Sequence, residues 1–235
     1  MPGSGSSLLR HLIENATLLY TGSEKLDDMS SIFPGQGKKD PNQILLVSST
    51  EPTSPSPPSQ PFASIYLARH PLAVIMAAAR AAKKIPALSD GASDLPNEWK
   101  SFVRTQTNAW VKHFLAWNAS RSVRPSALQT TVIVKLEDIA ADCGKRLETL
   151  FSKDLQIRIF NYYKYEEFWK ARFGAACRLV KNASWMTSWS DSETGSFLET
   201  SISAPKLADL ERRTWPLVVE IASAILDYLS YPKRM

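Results

Sequence analysis

The sequence predicts an α/β protein whose parallel sheet is covered by helices. Three observations carry that prediction. Short apolar, β-branched runs alternate with helical stretches, in the order helix, strand, loop, strand, helix, helix, strand, helix. A loop of small residues, Pro2-Gly3-Ser4-Gly5-Ser6-Ser7, runs straight into the first amphipathic stretch. Arg69 stands between the second strand and the helix after it, where open α/β sheets bind ligands. At 235 residues the chain is long enough to bury a sizeable core, and residues 1–235 are read as one domain.

The opening loop has two glycines, Gly3 and Gly5, which let the backbone approach a ligand closely. Ser6 or Ser7 can cap the helix, and both hydroxyls can bond an anion. Leu8, Leu9, Leu12, Ile13, Ala16 and Leu19 then form one apolar face. Such a helix start presents unpaired N–H groups and a positive dipole end, which suits phosphate or sulfate. A plain connector before a core helix has the same composition, and the loop has no Gly-Lys-Ser/Thr ending. A phosphate loop normally follows a buried strand. Here the loop follows Met1 at once, so the first strand is expected to be lacking and the chain to be truncated at its N-terminus.

Residues 43–48 read as a buried strand. Residues 50–61 are crowded with Pro and Ser and read as a flexible loop. Ser64 to Ala68 is the second strand, ending at Arg69-His70-Pro71. Pro71 suits a first helical turn, and Leu72 to Lys84 is Ala-rich and helical. A guanidinium at position 69 can clamp a phosphate in two-pronged fashion, or make a surface ion pair. Ile85 to Pro96 reads as a loop. Asn97 to Asn118 reads as a long helix whose Trp99, Phe102, Val103, Trp110, Phe114 and Trp117 form a core stripe, with His113 structural. Thr130 to Lys135 is the clearest strand, β-branched throughout. Leu136 starts a helix with Glu137 and Asp138 near its N-terminus, continued by Cys143 to Phe151. Tyr165 to Phe173 reads as a weak helix, Ser184 to Ser203 as polar and turn-rich, and Ala204 to Tyr231 as a helix kinked or begun afresh near Pro216.

Composition narrows the partners. A net charge of +5 and 44% hydrophobic residues fit a folded, mildly basic protein. No dense Lys/Arg run marks a nucleic-acid patch, so no nucleic acid is expected. No apolar run reaches the roughly 18 residues of a membrane span, so no transmembrane segment is expected in this chain. The two cysteines, Cys143 and Cys177, lack metal-ligand spacing, and no metal site is expected. They are read as buried free thiols, with pairing in an oxidising compartment as the alternative. Three Asn-x-Ser/Thr sequons, at Asn15, Asn118 and Asn182, lean towards a lumenal glycoprotein, although Asn15 falls inside the first helix.

Taken in order, several of these pieces resemble sulfotransferases that use 3′-phosphoadenosine 5′-phosphosulfate (PAPS). Pro2-Gly3-Ser4-Gly5-Ser6-Ser7, then Leu8-Leu9-Arg10-His11-Leu12-Ile13-Glu14, resembles the 5′-phosphosulfate loop and following helix, closest to those of WSC-domain-containing sulfotransferases. Ala68-Arg69-His70-Pro71 resembles the Arg-Asn-Pro that opens the 3′-phosphate site. The segment from Trp99 to Trp117 looks like the family's aromatic helix. Val132 to Ile139 is similar to its strand ending in Glu-Asp-Leu, and Glu193-Thr194-Gly195-Ser196-Phe197 looks like its late cofactor loop.

The resemblance implies a P-loop-type sulfotransferase fold without its first strand. It implies transfer of a sulfuryl group from PAPS, as cosubstrate, to an acceptor hydroxyl or amine of a carbohydrate, protein or small molecule. The chemistry is positioning plus donors for the equatorial oxygens. Gly3, Ser4, Gly5, Ser6 and Ser7 would cradle the phosphosulfate, and Arg69 would bind the 3′-phosphate. A Golgi lumenal or membrane location is implied if an anchor lies upstream.

The departures from the family pattern bear on activity. The loop lysine of many sulfotransferases corresponds here to Gly3, where the WSC-type loop also has glycine, and the Ser after Arg-Asn-Pro corresponds to Ala77. The Lys-Thr-His-Glu stretch appears as Ser48-Ser49-Thr50-Glu51, so Glu51 is the remaining candidate base. The basic pair after Gly-x-Phe is replaced by Leu198 and Glu199. Two alternatives therefore stand beside the enzyme: an impaired homologue or fragment with a binding or scaffold role, and a P-loop nucleotide kinase, which the absent Gly-Lys-Ser/Thr disfavours.

Overall fold

Each described strand pairs with one other in parallel, which demands a crossover between partners. The computed structural model describes residues 6–23, 44–48, 63–86, 94–122, 130–155, 165–182 and 204–232. The chain starts with helix α1 (Ser6–Thr17), followed by strands β1 (Tyr20–Ser23), β2 (Ile44–Ser48) and β3 (Ala63–Ala68). Helices α2 (Pro71–Ala81) and α3 (Asn97–Ser122) lead to strand β4 (Thr130–Lys135). Helices α4 (Leu136–Ala141) and α5 (Cys143–Thr149) run into a π-helical turn (Leu150–Asp154). Helices α6 (Glu166–Asn182) and α7 (Ala204–Tyr228) complete the chain.

The described strands form two parallel pairs, β1–β2 and β3–β4, rather than one continuous sheet. The second pair is regular over six residues, Ala63 opposite Thr130 through Ala68 opposite Lys135. The protein is thus mostly helical with small parallel sheets, compatible with the α/β class. Residues 50–61 and 184–203, read above as a flexible loop and a turn-rich stretch, lie outside the described residues. So do residues 87–93 of the expected loop at 85–96, whose described ends are irregular.

The chain divides into two compact units. One, the sheet unit, holds α1, the four strands, α3 from Trp117 onward, α4, α5, the π-helical turn and α6. Its core joins Leu9, Leu12, Ile13 and Ala16 of α1 to Val132 and Val134 of β4, Leu147 of α5 and Phe173 and Ala176 of α6. The expected apolar face of α1 therefore holds, except that Leu19 lies past the helix end and is exposed. Asp142 starts α5 by accepting the Lys145 N–H at 3.2 Å. Helix α6 is longer than the weak helix expected at 165–173. Packing of Phe173, Ala176 and Cys177 into the core supplies what local propensity does not.

The helical unit holds α2, α3 up to Ala116, and α7. The aromatic stripe of α3 is core as expected, with Trp99, Val103, Trp110 and Phe114 buried. The buried Trp99 indole N–H donates to Thr214 Oγ1 at 2.9 Å, so neither polar group is left unpaired between α3 and α7. Helix α7 runs unbroken through Pro216, whose ring faces solvent. Helices α2 and α7 both end in a Schellman turn. Lys83 and Ser230 take positive φ (53° and 54°), and the next N–H returns to the carbonyl five residues back.

The expectation of two free thiols is overturned. Cys143 of α5 and Cys177 of α6 form a disulfide, with Cα atoms 6.0 Å apart. Their sequence separation of 34 gave no sign of the pairing, because it depends on two helices packing side by side. Closing a loop of that length restricts the unfolded chain by about 3–4 kcal/mol. We expect a Cys143→Ser/Cys177→Ser variant to lose about that much stability in denaturant titration. Reductant should then have no effect on the variant while lowering the midpoint of the parent protein.

Candidate functional site

Ser6 and Ser7 occupy the first turn of α1 and are half-buried. That turn carries no acidic residue to offset the positive end of the helix dipole. The first N–H groups of any helix have no partner within it, and a small-residue entry lets an anion reach them. Gly3, Ser4 and Gly5 lie outside the described residues, as does Glu51. The two serines are thus the part of the predicted cradle whose placement is described.

Two guanidinium groups fix α1. Arg10 is buried, and it donates from Nε to Thr21 Oγ1 at 2.9 Å and from Nη2 to the Thr21 carbonyl at 3.1 Å. Glu14, one turn on, accepts from the same residue, with Oε1 2.6 Å from Thr21 N and 2.7 Å from Thr21 Oγ1. A buried charge is tolerated only when paired and hydrogen-bonded, and here Arg10 and Glu14 meet across one threonine. At the other end, Arg172 of α6 donates to the carbonyls of Ala16 and Asn15 at 3.0 and 2.9 Å. Those are terminal carbonyls that the helix itself cannot satisfy. The sequence reading used Arg10 and Glu14 only as parts of a motif. Their signal was an arginine three residues before buried Ile13, with a carboxylate four residues after it.

His11, between these anchors, is half-buried. Burial holds its imidazole below the ordinary histidine value, and Glu14 offsets this in part. A depressed histidine pKa means that the unfolded chain takes up the proton first, so stability falls as the pH drops below about 6.5.

Arg69 directly follows Ala68, the last residue of β3, and is half-buried. Its setting is held by the next two residues. Pro71 opens α2, and His70 forms the N-cap without a side-chain cap bond. The His70 ring instead stacks on Trp215 of α7, with centroids 4.7 Å apart, and meets the edge of Tyr231 at 5.1 Å. This packing fixes the backbone from which Arg69 projects. Three residues earlier, burial pushes the Tyr66 phenol up to about 12, so it stays protonated at neutral pH. Arg69 belongs to the helical unit, whereas Ser6 and Ser7 belong to the sheet unit.

Ala77, at the position of the family's serine, lies half-buried on α2 and has no hydroxyl to offer a phosphate. Among the described residues, no group of three or more His, Cys, Asp or Glu could hold a metal ion. No described helix is long and apolar enough to cross a membrane.

No protein-family model, curated protein or solved structure matches the chain.

We expect His11→Gln to flatten the loss of stability between about pH 7 and pH 5, measured by denaturant titration at each pH. An unchanged slope would mean that other groups carry the acid sensitivity.

Proposed function

We propose that this chain is a member of the PAPS-dependent sulfotransferase family that binds a 3′-phosphoadenosine nucleotide. The observation that carries the reading is Arg69 at the carboxyl end of a parallel strand, with its backbone anchored by Pro71 and the His70–Trp215 stack. In open α/β folds that end is where ligands bind. Support also comes from Ser6 and Ser7 at the start of a helix with no acidic residue in its first turn. The ordered sequence motifs name the ligand; these two features are chemically suited to its two phosphate ends.

On this reading the donor supplies the sulfuryl group. The chain's residues bind and orient it: the loop from Gly3 to Ser7 at the phosphosulfate, and Arg69 at the 3′-phosphate. Glu51 takes the acceptor proton. Ala77, Leu198 and Glu199 stand where the family pattern has groups that contact the phosphates. Charged hydrogen bonds contribute about 1.5–3 kcal/mol each, so binding weaker by orders of magnitude follows even without full additivity. That shortfall favours a second reading, a catalytically impaired homologue or fragment with a binding or scaffold role.

Calorimetry with 3′-phosphoadenosine 5′-phosphate separates these from an unrelated fold. We expect weak, saturable binding that Arg69→Ala reduces roughly 10- to 100-fold, the equivalent of one charged hydrogen bond. No heat at millimolar nucleotide would sink the enzyme reading. Where sulfate transfer is measurable, Glu51→Gln should abolish it while leaving nucleotide affinity in place. Turnover equal to the parent's would remove Glu51 as the base.

A further inference from the structure

The sequons read Asn-Ala-Thr at Asn15 and Asn-Ala-Ser at Asn118 and Asn182, and the fold treats the first two in opposite ways. Asn15 is half-buried on α1. Its Nδ2 donates to the His11 carbonyl at 2.8 Å, and its own carbonyl accepts from Arg172 at 2.9 Å. The hydroxyl of Thr17, the third residue of that sequon, donates back to the Ile13 carbonyl at 2.7 Å. A sugar on Asn15 would have to break the packing of α1 against α6. Asn118 is different, because it is exposed on α3 and followed by exposed Ala119. One turn before it stands Leu115, which is 51% exposed. Residues three apart share a helix face, so a substituent on Asn118 lies beside that leucine. The Asn182 side chain lies outside the described residues.

A second, independent observation concerns the compartment. Both cysteines of the chain are consumed in the Cys143–Cys177 disulfide. Disulfides form and persist in oxidising compartments and are rare where thiols are kept reduced. The secretory lumen is such a compartment, and Asn-x-Ser/Thr sequons are glycosylated there.

We propose that Asn118 is an N-glycosylation site of the folded protein and that Asn15 is not. The donor is an oligosaccharide carried on a polyprenyl diphosphate. The Asn118 Nδ2–C1 glycosidic bond forms as the C1–O bond to the diphosphate breaks. The polyprenyl diphosphate leaves with the bonding electrons, and a base of the transferase takes the proton from Nδ2. No oxidation or reduction is involved. The chain is modified while still extended, so helix α3 has only to tolerate the product, and an exposed position near its end does so. The attached sugar covers Leu115, an apolar side chain otherwise left in water.

The test uses the full chain behind a cleavable secretory leader in a eukaryotic cell, followed by tryptic mapping of the disulfide-bonded product. Peptide 113–121 should carry glycan, and a glycan-releasing amidase should convert Asn118 to aspartate. Asn118→Gln and Ser120→Ala should each lose one amidase-sensitive step of gel mobility, while Ser120→Thr keeps it. Formation of the Cys143–Cys177 bond in each variant shows that it still folds. Recovery of peptide 113–121 with unmodified Asn118 from the lumenal protein overturns the assignment, as does glycan on Asn15 in the disulfide-bonded form.

Discussion

The burial of Arg10 is the constraint on which the sheet unit depends. A guanidinium carries five N–H donors and cannot lose its charge, so burying it requires acceptors in fixed places. Thr21 supplies two of them, a hydroxyl and a carbonyl. Glu14 returns the charge by accepting both the N–H and the hydroxyl of the same threonine. The register of α1 against β1 follows, because moving either by one residue would strand a buried charge. Strand β1 pairs with β2, so the start of α1 is referenced to a strand pair rather than to a loop. At its far end α1 is held by Arg172 of α6, and α6 is bonded to α5, which lies close behind β4 in the chain. The result is a series of specific bonds running from one strand pair towards the other along the helices.

Elements with strong local signals were legible in the sequence. Thr130–Lys135 is β-branched throughout, α2 is Ala-rich with proline at its start, and α3 carries an aromatic stripe at helical spacing. Elements that depend on tertiary partners were not. Strand β1 has the sequence Tyr20-Thr21-Gly22-Ser23, whose last three residues read as a turn. It is extended because Arg10 and Glu14 grip Thr21 and β2 pairs beside it. The π-helical turn after α5 escaped for a similar reason. It lies just before Leu155, and Arg146 meets Asp154 there at 3.0 Å while bonding the Ile133 carbonyl at 3.2 Å. Nothing in the spacing of single residues announces that bridge. The disulfide belongs to the same class, since cysteine spacing reports reach along the chain and not proximity in space.

The candidate site divides along the same line. Ser6, Ser7 and Arg69 each follow from a local rule, a helix start or a strand end, and sequence reading finds such positions. What holds them is not local. Arg10 and Arg172 brace the helix that Ser6 and Ser7 begin, and His70, Trp215 and Tyr231 brace the strand end that presents Arg69. A motif scan reports the residues that would meet a ligand and passes over those that keep them still.

This division has a consequence for the proposed nucleotide site. Bracing contacts and ligand contacts are under different physical constraints. Removing a buried partner such as Thr21 or Trp215 costs stability at once, because a charge or a ring loses its packing. On the proposed reading, Ala77 and Leu198 in place of phosphate-binding groups cost affinity, while the bonds that hold α1 are made by other residues. A chain can therefore lose affinity step by step while its scaffold stays whole. On the proposed reading the present protein fits that pattern: Arg10, Glu14 and Arg172 still hold α1, while several positions assigned to phosphate contacts carry residues that cannot make them. On the proposed reading Glu199 goes further than a simple loss, because a carboxylate in place of a cation would repel a phosphate. On physical grounds the scaffold outlasts the contacts that a ligand would need.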